Sequence, residues 1–261
     1  RTTMHELMRQ YCEEKLEAEH TQVTGESAQA VGKRHCDYYG AILRTVMPNV
    51  NFQADVLDQL VAELDNIQAA WRFAVEAAHP TIIADHALAL HFLGDMMGWS
   101  GLSIQMLESG IVPLELRLAE ESCNPAAGDA IRRALGYAHN AIIDLSLFFV
   151  GDTRKAKAHN DALAELAQTS GQAEVQLYWL GLHYTTLADL RFVDGDYETE
   201  RQADRGALLR FEDPGFVCPL LGRERGQAFW QAHALWDLGR LSWRLGDYDA
   251  GERFFEQALA L

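Results

Sequence analysis

An all-α fold, a solenoid of antiparallel helix pairs, is what this sequence predicts. Three observations carry the prediction. Apolar residues recur at helical spacing in segment after segment, no window alternates apolar and polar residues as a half-buried strand does, and a Gly-Asp turn phrase returns at long intervals. The phrase is Gly246-Asp247-Tyr248, preceded by Gly195-Asp196-Tyr197 and Gly151-Asp152-Thr153, and the copies stand 44 and 51 residues apart. Glycine stops one helix, aspartate caps the next, and the chain reverses onto itself. One such pair cannot bury its apolar faces alone, so several must stack.

In chain order, residues 3–16 read as an amphipathic helix with Met4, Leu7, Met8, Tyr11, Cys12 and Leu16 on one stripe and Thr3 as its cap. Polar residues 20–27 break it. A long helix over residues 27–47 follows, closed by Pro48-Asn49, and then one over residues 52–77 with Leu57, Leu60, Val61, Leu64, Ile67, Ala70, Trp71 and Ala74 at helical spacing. Pro80 starts the next helix, as proline can in a first turn. From there four pairs are expected: residues 81–97 with 102–119, 126–150 with 153–169, 173–193 with 197–211, and 223–245 with 248–261, about eleven helices in all. The connection over residues 212–221 contains Pro214 and Pro219 among apolar residues and is expected to pack down on the helices.

Composition bounds the rest. At 261 residues and 48% hydrophobic the chain can bury a sizeable core. No run approaches the roughly 18 consecutive apolar residues of a membrane span, and the first residues carry no signal-peptide apolar region. Cys12, Cys36, Cys123 and Cys218 are scattered with no CxxC pair, so free, mostly buried thiols and a cytoplasmic home are expected. A formal charge of −16 argues against a surface that tracks nucleic-acid phosphates. The charge is uneven. Residues 51–100 carry one basic side chain, Arg72, against seven acids, whereas residues 201–250 carry seven arginines against seven acids. Acids that solvate outer helix faces account for this most simply; an acidic docking face near the middle of the chain is the alternative.

The turn phrase, with Leu238-Gly239 before it and Phe255 and Ala258 after it, resembles a tetratricopeptide repeat, in an irregular form longer than the standard roughly 34 residues. A second resemblance lies upstream. Met4-His5-Glu6-Leu7-Met8-Arg9-Gln10-Tyr11, then His35-Cys36-Asp37-Tyr38-Tyr39, then Glu63-Leu64-Asp65-Asn66-Ile67-Gln68-Ala69-Ala70-Trp71 are similar, in order and spacing, to the junction between nucleotide switch and helical repeats in bacterial STAND-class signal-transduction ATPases, relatives of the NB-ARC proteins. The resemblance implies that His5 helps hold ADP in the resting state of the full-length protein; Glu6 stands where the family has aspartate. It divides the chain into residues 1–20, the last helix of a winged-helix switch module, residues 21–125, a long-helix linker with irregular repeats, and residues 126–261, tetratricopeptide-like repeats. No GxxxxGK[ST] loop occurs, so this piece is not expected to hydrolyse nucleotide; ATP or ADP belongs to a missing upstream domain, and no cofactor is expected here. The apolar last helix suggests a piece cut from a longer array.

Candidate site residues come from aligning the first helix of each pair. Counting back a fixed distance from each turn places Phe148, Phe192 and Trp243 at one position and Leu145, Asp189 and Arg240 one turn earlier. With Trp236 and Arg244 these make a candidate groove for a protein, peptide or small-molecule inducer; burial of the rings between repeats is the competing reading. No catalytic residues are expected. His86 and His91 are five apart, not the three or four that put two metal ligands on one helical face, and no HExxH or GxSxG phrase occurs. Asp65-Asn66 reads as packing and capping. The expected function is a non-catalytic sensor that controls the nucleotide switch through intramolecular contact, with no membrane or nucleic-acid partner; a free-standing adaptor is the alternative, and an enzyme with an unrecognised site the weakest.

Overall fold

The computed structural model describes residues 28–46, 54–121, 124–219 and 221–261. The expected helix over residues 3–16, with His5 and Cys12, and also Cys123, lie outside the described residues. Regular structure among those described is helical, and the only extended pairing is an isolated bridge between Cys218 and Gly222. The helices are α1 (Ala28–Val46), α2 (Ala54–Ala62), α3 (Leu64–Glu76), α4 (Pro80–Met96), α5 (Ser100–Glu120), α6 (Pro125–Asp144), α7 (Thr153–Thr169), α8 (Ala173–Asp194), α9 (Tyr197–Phe211), α10 (Arg223–Arg244) and α11 (Tyr248–Leu259). A π-helical turn, Leu145–Val150, extends α6.

The pairing follows the sequence. From α4 onward each helix packs on the next, and α4 also packs on α6, and α6 on α8, so the first helices of successive pairs form a row. One apolar cluster runs through this row from Trp71 and Leu90 past Leu107, Ile131 and Leu163 to Trp179, Phe211 and Phe216; a smaller one joins Leu43, Leu60, Ile67 and Leu93 at the front.

The three turns take the expected form. Gly151, Gly195 and Gly246 adopt left-handed φ of 76°, 75° and 82°, which glycine reaches without a Cβ clash. Asp152, Asp196 and Asp247 then cap α7, α9 and α11 by accepting from the backbone N–H of Lys155, Thr199 and Ala250. One difference separates them. Asp196 N–H reaches back five residues to the Arg191 carbonyl and Asp247 N–H five to Ser242, at 2.9 Å each, but Asp152 N–H reaches back six, to Ser146, at 2.8 Å. The π turn therefore inserts one residue before the first turn phrase.

Two sequence expectations need correction. The helix expected over residues 52–77 is two helices, interrupted at Glu63, whose φ and ψ are −102° and 7°. Glu63 Oε2 accepts from Tyr39 Oη at 2.8 Å and from Asn66 Nδ2 at 2.7 Å, contacts from α1 and α3 that hold the carboxylate at the bend. The helix expected over residues 126–150 ends its α geometry at Asp144. The connection after α9 packs down as expected. Phe216 and Cys218 are buried, and Gln227 and Gln231 of α10 donate to the Phe211 carbonyl, Gln227 also to that of Asp213 at 2.8 Å.

Candidate ligand groove

The row of first helices encloses a groove with a cavity of about 340 Å³. α4 contributes His91 and Asp95, α6 and its π turn contribute Asn140, Asp144, Phe148 and Phe149, α8 contributes Thr185, Thr186 and Asp189, and α10 contributes Trp230 and His233. Four consecutive pairs thus each place polar side chains and most place a ring on one surface. That follows from stacking: the same face of each first helix looks the same way.

Of the sequence candidates, Phe148 and Asp189 line this cavity. Phe192, Arg240 and Arg244 form its continuation. The Arg244 and Arg240 guanidinium carbons lie 3.9 and 4.9 Å from the Phe192 ring centroid, and Arg240 Nη2 stands 3.7 Å from Asp189 Oδ1 and 3.2 Å from Asp237 Oδ1. Trp236 and Trp243 are on α10 but turn toward the next helix, α11. The Trp236 ring centroid is 4.9 Å from Phe255, and that of Trp243 is 5.5 Å from Tyr248. No ring contact joins Phe148, Phe192 and Trp243 among the described residues, so they do not form a continuous ladder. Phe148 and Trp243 are not core, at 61% and 55% exposed, and Phe192 is half-buried.

Leu145, expected beside Asp189 and Arg240, is fully buried. The residue inserted by the π turn shifts the count by one, and Asp144 takes the groove position instead. His91 Nε2 is 3.3 Å from Asp144 Oδ2, and His233 Nδ1 is 3.1 Å from Asp237 Oδ2. Removal from water pushes Asp144 and Asp189 up to about 7; for Asp189 the Asp237 charge adds to burial while Arg240 opposes it. Burial holds His91 down to about 4. Burial also disfavours the charged His233, but its hydrogen bond to Asp237 and the field of Asp237, Asp189 and Asp144 raise it above its ordinary value.

Behind this wall stand two acids that spacing did not single out. Glu200 and Asp204 of α9 are 1% and 2% exposed, and one carboxylate oxygen of each, Oε2 and Oδ2, is buried without a hydrogen bond. Burial pushes Asp204 up to about 8, helped by Asp237, Glu200 and Asp189 and opposed by Arg240. In the first half Asp58, Asp65, Glu76 and Asp95 are exposed, as the surface reading expects, but Asp85 is not: its side chain is 12% exposed and paired with Arg44, and burial pushes it up to about 6.

Chemically, the groove offers carboxylates, imidazoles, hydroxyls and aromatic faces. Among the described residues no group of three or more His, Cys, Asp or Glu side chains is arranged to hold a metal ion, and no helix is long and apolar enough to cross a membrane. No protein-family model, no curated protein and no solved structure matches the chain.

Proposed function

We propose that this chain is the sensing region of a STAND-class signal-transduction ATPase: a tetratricopeptide-like solenoid that binds an inducer in its groove and controls a nucleotide switch, without catalysis of its own. The observation that supports it best is the groove itself, formed by four successive first helices. Acids and aromatic rings line it together, Asp144, Asp189 and Phe148 among them. Such a surface suits a ligand with an apolar body and a positively charged group, held by carboxylates and aromatic faces together. The Gly-Asp turns and the Leu238-Gly239 and Phe255 phrase support the repeat assignment, and the three upstream phrases support the switch.

The test is made on the full-length gene product. A phosphate loop encoded upstream of Arg1, ADP retained through purification, and loss of that ADP with raised uninduced activity in His5→Ala are the expected results. Asp189→Asn with Phe148→Ala is expected to abolish the response to inducer at unchanged nucleotide content. A start codon close to Arg1 with no phosphate loop would replace the sensor reading with that of an adaptor. A ligand that moves the switch must bind its two states differently, so inducer affinity is expected to differ between ADP-loaded and ATP-loaded protein.

A further inference from the structure

A second cavity of about 290 Å³ lies on the other side of α10, between the second helices of two consecutive pairs. Arg201 and Arg205 of α9 and Arg253 of α11 converge on it, Leu238 and Ser242 of α10 lie beneath, and Phe254 and Gln257 complete the wall. In a chain of formal charge −16, three guanidinium groups facing one cavity are conspicuous. Two of the nearby acids are already engaged. Glu198 Oε2 is 3.8 Å from Arg201 Nη1, while Oε1 of the same carboxylate accepts from Gln202 Nε2 at 3.2 Å. Asp247, the one acid lining the cavity, caps α11 through Ala250 N–H at 3.1 Å. Neither Arg205 nor Arg253 has an ion-pair or hydrogen-bond partner among the described residues.

Three like charges brought together repel one another, and an anion between them converts the repulsion into attraction. The guanidinium fork matches tetrahedral oxyanions through paired N–H donors. Ser242 and Gln257 add neutral donors, and the cavity lies at the small end of the ligand-pocket range of roughly 300–1,000 Å³. From this geometry we infer that the cavity is a binding site for a compact phosphate-bearing ligand, with Arg201, Arg205 and Arg253 as its anion clamp. The site is separate from the groove: it is lined by α9, α10 and α11 and shares no lining residue with it.

The test is calorimetric titration of the chain with inorganic pyrophosphate, beside citrate as a polycarboxylate of similar charge. Saturable binding of pyrophosphate, tighter than citrate, is expected. Arg205→Gln and Arg253→Gln, both at exposed positions that leave the fold intact, are each expected to weaken it about tenfold, the scale of one charge-assisted contact. Arg225→Gln, an exposed arginine of α10 outside the cavity, is expected to leave it unchanged. Absence of binding, equal loss in Arg225→Gln, or tighter binding of citrate would each overturn the assignment.

Discussion

Arg244 of α10 lies over Phe192 of α8, its guanidinium carbon 3.9 Å from the ring centroid, a cation–ring contact that ties one helix pair to the next. Arg240 sits 4.9 Å over the same ring. A double-mutant cycle with Phe192→Leu and Arg244→Ala, measured by denaturant unfolding, is expected to give a coupling of about 0.5–1 kcal/mol, as for partly exposed contacts of this kind. Strict additivity would mean that the ring and the guanidinium merely neighbour each other.

Stability is expected to fall as pH rises above neutrality. Asp204 has its carboxyl pushed up to about 8 from an ordinary 3.8, so the folded chain keeps a proton that the unfolded chain releases from about pH 4 upward. The stabilisation is full below the unfolded value and is lost as pH rises through the folded one, with a slope of at most about 1.4 kcal/mol per pH unit for each proton. Asp189 and Asp144, at about 7, act in the same direction. His86 and His91, held at about 4, and His139, at about 3, act in the opposite direction, but only below their ordinary 6.5. Between pH 6.5 and 8 the carboxyls therefore decide the sign. Thermal melts should show Tm falling across that window, less steeply in Asp204→Asn; an unchanged slope would remove Asp204 from the account.

Gly181→Ala is expected to destabilise the chain by about 1–3 kcal/mol, the cost of overpacking. A Cβ there would lie 2.2 Å from Cε1 of Phe211, a ring that is itself fully buried and has nowhere to go. Gly181→Ala with Phe211→Leu should recover part of the loss in urea unfolding. No recovery would place the strain elsewhere.

Phe216→Ala tests the long connection. Phe216 is fully buried, with ring centroids 5.3 Å from Phe211 and 6.0 Å from Tyr178. Loss of about 3–5 kcal/mol is expected, the range for a core phenylalanine. A cost below about 1 kcal/mol would mean that the connection only rests on α8–α10 and does not help to hold them.

Helix ends marked by glycine, aspartate or proline were legible in the sequence. Residues 153–169 and 197–211 were read to the residue, and Pro80 opens α4 as expected, because each boundary is set by local chemistry. Interruptions set by tertiary contacts were not. Nothing local to Glu63 announces a bend that Tyr39 holds from another helix, and the segment from Leu145 to Val150, apolar but for Ser146, contains no glycine or proline that would reveal a π turn. The groove was half legible for the same reason. Spacing found Phe148 and Asp189, but it chooses a face of a helix without saying which neighbour that face meets. Trp236 and Trp243 accordingly turned out to lean on α11. Glu200 and Asp204 carry the mark of solvent in any sequence pattern, and only the packing of α9 reveals that they are enclosed.

The extra residue in Leu145–Val150 also acts as a phase marker for the whole chain. An α-helix advances about 100° per residue, and the wider π turn absorbs the extra amino acid, so everything on its N-terminal side keeps its phase with the turn that follows. Deleting a single residue from this segment would leave an uninterrupted α-helix with Asp144 six residues before the turn glycine, as Asp189 stands six before Gly195, so Asp144 would stay in line with Asp189. Any period-based alignment of this chain must open a gap at that point before residues on its two sides can be compared.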